Sequence, residues 1–133
     1  MRLLLAAGKA NLRLSLELLL SEQPGVEIVG SASEGAGLLA LIQTSEPDMI
    51  LSDWDLPGRP LATLLAGRDQ SYHLPKTIIL TTSNRDRQAA LDAGADAAVL
   101  KGASPDLLLS AFQELRTQFT ANQETNRYEQ EKW

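Results

Sequence analysis

The chain has 133 residues, of which 44% are hydrophobic, and it carries a net charge of −5 at pH 7 and no cysteine. This length suits one domain with a single core, and the lack of cysteine excludes disulfides and thiolate chemistry. The acidic balance argues against nucleic-acid binding by this domain, and no segment is apolar enough for a membrane span or a signal-peptide core, so we expect a cytoplasmic protein.

Three apolar strands alternate with helical patterns in the first half of the chain. The first strand is predicted at Arg2–Ala6, and leucines between positions 12 and 20 then recur at helical spacing until Pro24-Gly25 breaks the helix. The next predicted elements are, in order, a strand over 26–29, a helix over 38–42 that stops near Ser45-Glu46-Pro47, a strand over 49–53, a turn at Pro57, Gly58 and Pro60, and a short helix over 61–65.

Helix start and stop signals are clearer in the second half. A strand over 77–80 precedes Ser83 and Asp86, which have the spacing of a capping box and open a helix over 85–93 that Gly94 ends. A strand over 97–100 follows, and Ser104-Pro105-Asp106 begins a last helix that carries apolar residues to Phe119. We predict a domain over residues 1–119, with 120–133 a polar tail, a frayed helical extension or the start of a linker.

Five strands that alternate with five helices predict an α/β domain with a parallel sheet covered on both faces. In such sheets, ligands and chemistry lie beyond the carboxyl ends of the strands. Three polar side chains fall at predicted strand ends, Asp53, Thr81 and Lys101. A carboxylate nucleophile, a hydroxyl and an ammonium that converge at one edge could hold an acyl phosphate on Asp53. Alternatively, Asp53 and Lys101 form a structural ion pair and Thr81 is an ordinary strand residue.

The motifs around these residues resemble the receiver domain of two-component response regulators, over about residues 2–116. "PDMILSDWDLPG" resembles the phosphoacceptor segment with Asp53, "IILTTS" the switching hydroxyl with Thr81, and "ALDAGADAAVLKGASPDLLLSAF" the stretch around the lysine, here Lys101. The resemblance implies a doubly wound, flavodoxin/CheY-like (βα)5 fold with strand order 2-1-3-4-5. It also implies a signalling role in a phosphorelay, with a histidine kinase or an output domain as partner.

Two departures from the family pattern predict a degenerate receiver, or pseudo-receiver. The family holds Mg²⁺ with two acidic residues after the first strand, and here Ala7 and Gly8 stand in those positions. Asp53 and Asp55 could bind Mg²⁺ only weakly, so we expect no cofactor. Lys9 is a candidate substitute for the metal's charge, although a solvated loop lysine is the more ordinary interpretation. The family's switching aromatic aligns with Ala98, whose methyl group cannot report phosphorylation by turning.

No catalytic constellation accompanies these motifs, and we expect that the protein is not an enzyme. His73 has no second metal ligand nearby in the sequence. The leading hypothesis is a receiver-like module that acts by phosphorylation-independent protein–protein interaction, including a homodimer. Receivers associate through the last two helices and the fifth strand or through the first and fifth helices, and the sequence leaves this choice open. The alternatives are a working phosphoacceptor on Asp53 and a small-ligand site in the emptied crevice.

Overall fold

The computed structural model describes residues 1–58, 61–66 and 75–131, with side chains as far as residue 119 except at positions 64 and 66. Pro60, His73 and Trp133 lie outside the described residues. The elements are, in chain order, β1 (Arg2–Ala6), α1 (Ala10–Ser21), β2 (Glu27–Ala32), α2 (Gly35–Ser45), β3 (Met49–Asp53), α3 (Leu61–Ala66), β4 (Lys76–Thr81), α4 (Asn84–Asp92), β5 (Ala97–Leu100) and α5 (Pro105–Glu131).

The five strands form one parallel sheet in the order β2-β1-β3-β4-β5. This confirms the predicted α/β class and strand order. β2 extends past position 29 to Ala32, because Leu5 and Ala6 of β1 pair with Ser31 and Ala32. Sheet pairing lengthens this strand beyond its apolar residues, and all five carboxyl ends meet at one edge of the sheet.

The sheet separates two hydrophobic clusters. One lies under α1 and α5 and includes Leu3, Leu5, Leu51, Leu80 and Phe112. The other lies under α2, α3 and α4 and includes Leu4, Ile50, Ile79, Leu61 and Ala90. Since consecutive strand residues point to opposite faces, the continuous apolar runs of β1, β3 and β4 supply both clusters.

The helix ends follow their sequence signals. Ser83 Oγ accepts a hydrogen bond from the Asp86 N–H at 3.1 Å, and Gly94 after α4 has a φ of +114°. Ser104 Oγ accepts from the Asp106 N–H at 3.2 Å and opens α5 at Pro105. These caps confirm the predicted starts of α4 and α5 and the predicted end of α4.

The helix α5 packs beside α1 and continues to Glu131. Gln113 donates a hydrogen bond to Gln23 at 3.1 Å, and the Arg116 guanidinium donates to the Pro24 carbonyl, so α5 is attached to the segment that follows α1. The backbone is helical beyond Phe119, as far as Glu131. The domain boundary at residue 119 remains a prediction. Within the described ranges, no helix is both long and apolar enough to cross a membrane.

The end of α2 stores backbone strain at an exposed position. Glu46 caps this helix in the left-handed conformation, with φ 46° and ψ 59°. That conformation costs a residue with a Cβ about 1–2 kcal/mol, which exceeds the roughly 0.4–1 kcal/mol of extra unfolded-state entropy that glycine brings.

We therefore expect Glu46→Gly to raise the free energy of unfolding by about 0.5–1 kcal/mol in urea denaturation. Gln43→Gly, at an exposed position inside α2, is the matched control and should lower it by roughly 0.5–1 kcal/mol. A loss of stability in Glu46→Gly would contradict the strain assigned to this cap.

Candidate functional site at the carboxyl ends of the strands

Strand pairing brings the ends of β3, β4 and β5 together. Asp53 pairs with Leu80, and the Trp54 N–H donates to the Leu80 carbonyl at 2.8 Å immediately after β3 ends. The Lys101 N–H donates to the Thr81 carbonyl at 2.8 Å where β5 ends. The backbone therefore places Asp53, Thr81 and Lys101 on three adjacent strand ends.

Asp53 and Lys101 form an ion pair across these ends. Lys101 Nζ lies 2.7 Å from Asp53 Oδ1, and the side chains are 26% and 7% exposed, respectively. The Asp55 N–H also donates to Oδ1, at 3.1 Å. Within the described part of the chain, Asp53 Oδ2 has no hydrogen-bond or ion-pair partner. The carboxylate is thus held through one oxygen, and the other remains available for a ligand or a reaction.

Thr81 is fully buried, and its Oγ1 has no hydrogen-bond partner among the described residues. Strand alternation places its side chain on the same sheet face as Ile79, toward the cluster under α2, α3 and α4. A buried hydroxyl without a partner costs about 1–3 kcal/mol of desolvation. The structure therefore brings Asp53 and Lys101 into contact and leaves the Thr81 hydroxyl beside them unsatisfied.

The end of β1 carries no acidic side chain. Ala7 is fully buried, and a Cβ at Gly8 would lie 3.0 Å from Cδ of Pro57, tighter than ordinary van der Waals contact. Among the described residues no three His, Cys, Asp or Glu side chains are grouped as metal ligands. Asp53, the nearly buried carboxylate at this edge, is already paired with Lys101. This donor set does not fit an Mg²⁺ site of three carboxylates.

Sequence reasoning missed the cation at the end of β1. Arg13 Nη1 donates to the Ala7 carbonyl at 2.7 Å and lies 3.4 Å from the Gly8 carbonyl. The signal was a lone charged residue in the first turns of α1. Lys9 is the exposed N-cap residue of that helix and makes no ion pair or hydrogen bond with its side chain to any described residue. Its position is that of a solvated lysine, and its role as a charge substitute remains a prediction.

A second missed residue is Arg87 of α4. Its Nε donates to the Ala98 carbonyl at 2.9 Å, so its side chain ties α4 to β5. Ala98 itself is buried, 6% exposed, in the cluster that contains Ile79 and Ala90. Position 98, which aligns with the family's switching aromatic, therefore carries a buried methyl group and a carbonyl bound by Arg87.

Comparisons with known proteins agree with this geometry. A family model described as the response regulator receiver domain matches residues 4–113. The nitrate/nitrite response regulator NarL of Escherichia coli K12 is 34% identical over 113 residues, covering 83% of this chain and 52% of that protein. The corresponding NarP is 38% identical over 104 residues, covering 76% and 48%. The chain therefore spans about half the length of these curated relatives.

Solved structures show the same fold. The isolated REC domain of RcsB from Salmonella enterica serovar Typhimurium matches with a TM-score of 0.80 and 21% identity, covering 88% of each chain. The signal receiver domain of the response regulator NarL from Mycobacterium tuberculosis matches with a TM-score of 0.76 and 27% identity, covering 86% of this chain and 94% of that one. The first likeness concerns the fold alone.

We expect Thr81→Val to raise the free energy of unfolding by about 1 kcal/mol, because valine keeps the shape of threonine and removes the unpaired hydroxyl. Thr81→Ala is the control, since it also removes a buried methyl group and should lower stability. Urea denaturation measures both. A loss of more than about 1 kcal/mol in Thr81→Val would show that the hydroxyl has a partner.

The Asp53–Lys101 pair predicts strong coupling in a double-mutant cycle. Lys101→Met leaves a nearly buried carboxylate without its cation and should destabilise the protein more than the double variant Lys101→Met/Asp53→Asn does. We expect a coupling energy of about 1–3 kcal/mol at neutral pH from urea denaturation of the four proteins. Additive effects would contradict the ion pair.

Proposed function

The chain belongs to the response regulator receiver domain family, and from this premise we propose that it is a degenerate receiver that binds protein partners without depending on phosphorylation. The observation that carries this proposal is the end of β1. The family's acidic pair is replaced there by Ala7 and Gly8, and the cation on the strand end is Arg13. The domain keeps the fold and loses the carboxylates with which receivers hold the metal.

Electrostatics explains why this loss matters for phosphoryl transfer. The reaction depends on positioning and on neutralising the charge of the transferred group. With Asp53 bound to Lys101 and no acid at the end of β1, the site offers few oxygen ligands for Mg²⁺. Among the described residues Lys101 is the cation paired with Asp53, so phosphorylation of this carboxylate is poorly assisted.

The side-chain movement by which receivers usually respond to phosphorylation is also restricted. A small side chain at position 98 cannot swing between two positions, and Arg87 fastens α4 to the carbonyl of that residue. The Thr81 hydroxyl therefore has no aromatic neighbour at position 98 whose movement it could control. The Arg87 hydrogen bond supports the proposal that the surface formed by α4 and β5 has a single conformation.

The partners we propose are a histidine kinase, an output domain or a separate output protein in the cytoplasm. The chain covers about half of its curated relatives, and the last helix continues to Glu131. RcsB of Salmonella is described bound to promoter DNA. For this domain itself, the net charge of −5 argues against nucleic acid as a direct partner.

A phosphoacceptor function on Asp53 is the second candidate, and one observation favours it. Oδ2 of Asp53 has no partner among the described residues, Lys101 lies 2.7 Å from the other oxygen, and the Thr81 hydroxyl is unsatisfied. A carboxylate oxygen, an ammonium and a free hydroxyl are the groups that an acyl phosphate on Asp53 would use.

Mg²⁺ titration separates the two candidates. Trp54 follows Asp53 directly, so its fluorescence, measured in a Trp133→Phe background, reports a metal bound at the site. We expect no saturable quenching at low millimolar Mg²⁺ and no acetyl-phosphate labelling of the protein. Saturable quenching together with labelling that Asp53→Asn abolishes would replace the leading proposal with the phosphoacceptor.

Restoring the acids provides the matched control. Ala7→Asp/Gly8→Asp should gain saturable Mg²⁺ quenching, whereas Ala7→Asn/Gly8→Asn adds similar volume without charge and should not. Both variants are expected to lose stability to a similar extent, because a side chain at Gly8 presses on Pro57. Equal Mg²⁺ responses of the two variants would contradict the assignment of these positions.

A further inference from the structure

A groove of about 240 Å³ opens between α1 and α5, beside the carboxyl end of β5. Its most buried lining residues are Leu80, Leu16 and Leu108, and Leu12 and Val99 line it nearer to the solvent. These five side chains belong to the cluster under α1 and α5 or pack against it. The two helices therefore cover this cluster incompletely and leave an apolar space that solvent can reach.

The polar residues that line the groove carry positive charge at one end. They are Ser15, Lys101 and Ser104, and among the described lining residues none is acidic. Lys101 and Ser104 lie in the connection between β5 and α5, where the helix presents its N-terminus, the positive end of its dipole. Asp106 in the first turn of α5 is exposed and lies outside the groove lining.

Lys101 has donor capacity beyond its bond to Asp53. An ammonium carries several N–H donors, whereas Asp53 is the hydrogen-bond or ion-pair partner of Lys101 among the described residues. The Lys101 side chain is 26% exposed, so a ligand can reach it. Ser104 Oγ accepts from the Asp106 N–H, which leaves the hydroxyl hydrogen of Ser104 as a second donor at this end.

We propose that this groove binds a small organic acid with an apolar body. The acid group binds the Lys101 ammonium and the Ser104 hydroxyl, and the apolar body lies between α1 and α5. Apolar walls with a few polar groups that fix orientation are typical of ligand sites. The groove lies on the other sheet face from the Thr81 hydroxyl, and Lys101 is common to both sites. This site is independent of the partner binding proposed above.

The size of the groove favours a small molecule over a protein. A dry cavity of about 150 Å³ holds one benzene molecule, so in proportion 240 Å³ has room for an apolar body of about ten heavy atoms. A stable protein interface covers about 800 Å² of each partner, much more surface than a groove of this volume offers.

The charge of the groove favours an acid over other small molecules. A neutral apolar molecule would displace water from the Lys101 ammonium without offering an acceptor in return. A cationic molecule would be repelled by Lys101 and by the N-terminus of α5. A carboxylate forms charge-assisted hydrogen bonds with the same ammonium.

Titration of the full chain with octanoate tests the inference. 1-Octanol has the same apolar chain without the charge, and octylammonium has the opposite charge. We expect saturable changes in the amide NMR signals of Val99 and Leu108 with octanoate, with a Kd of about 0.1–1 mM, and affinities at least about tenfold weaker for the other two molecules. Octanoate that gives no saturable change up to several times this Kd, or 1-octanol that binds equally well, would overturn the proposal.

Two variants isolate the role of the Lys101 charge. Asp53→Asn keeps Lys101 and removes the carboxylate that shares its ammonium, so it should bind octanoate at least as tightly as the unmodified chain. Lys101→Met/Asp53→Asn leaves no buried charge unpaired and should bind octanoate about tenfold more weakly, with the affinity for 1-octanol unchanged. A preference for octanoate that persists in the double variant would contradict Lys101 as the acid-binding group.

A second pair of variants tests the place of binding. Ser15→Phe puts a ring into the groove from an exposed position of α1, whereas Ser110→Phe puts the same ring on an exposed position of α5 outside the lining. Ser15→Phe should weaken octanoate binding by about tenfold or more, because the ring occupies the space of the apolar body, and Ser110→Phe should leave it unchanged. Equal affinities of these two variants would show that octanoate binds elsewhere.

Discussion

The structure depends on the burial of β1. From Leu3 to Ala6 this strand has no exposed side chain, since it lies between β2 and β3 and is covered on both faces. A strand buried in this way can end only at the edge of the sheet, where its last residues meet the loops. The two residues that follow β1 at this edge, Ala7 and Gly8, are small and uncharged.

At this edge of the sheet, Asp53 and Arg13 both bind partners within the chain. With no acid after β1, Asp53 is the nearly buried carboxylate there, and Lys101 neutralises it within the chain itself. Arg13 binds the carbonyl groups of Ala7 and Gly8 on the other side of the edge. Because Asp53 is already paired with Lys101, its carboxylate has less need of an external cation.

Local patterns were sufficient to predict the element order and the residues at the strand ends. Alternating apolar runs and helical leucines predicted five strands and five helices, and Ser83, Gly94 and Ser104 marked helix ends that the structure confirms. The sheet order came with the family resemblance. Boundaries differed where pairing extended a strand, as in β2, because a ladder partner can hold residues that are not themselves apolar.

The sequence by itself determined which groups are available: an acid at position 53, a lysine at 101, a threonine at 81 and no acid directly after β1. Only the tertiary structure decided their partners. Arg13 and Arg87 bind backbone carbonyls 6 and 11 residues away along the chain, and the groove lined by Leu16 and Leu108 exists only where α5 packs against α1. Periodicity is a local property, whereas a side chain's partner depends on how distant elements pack.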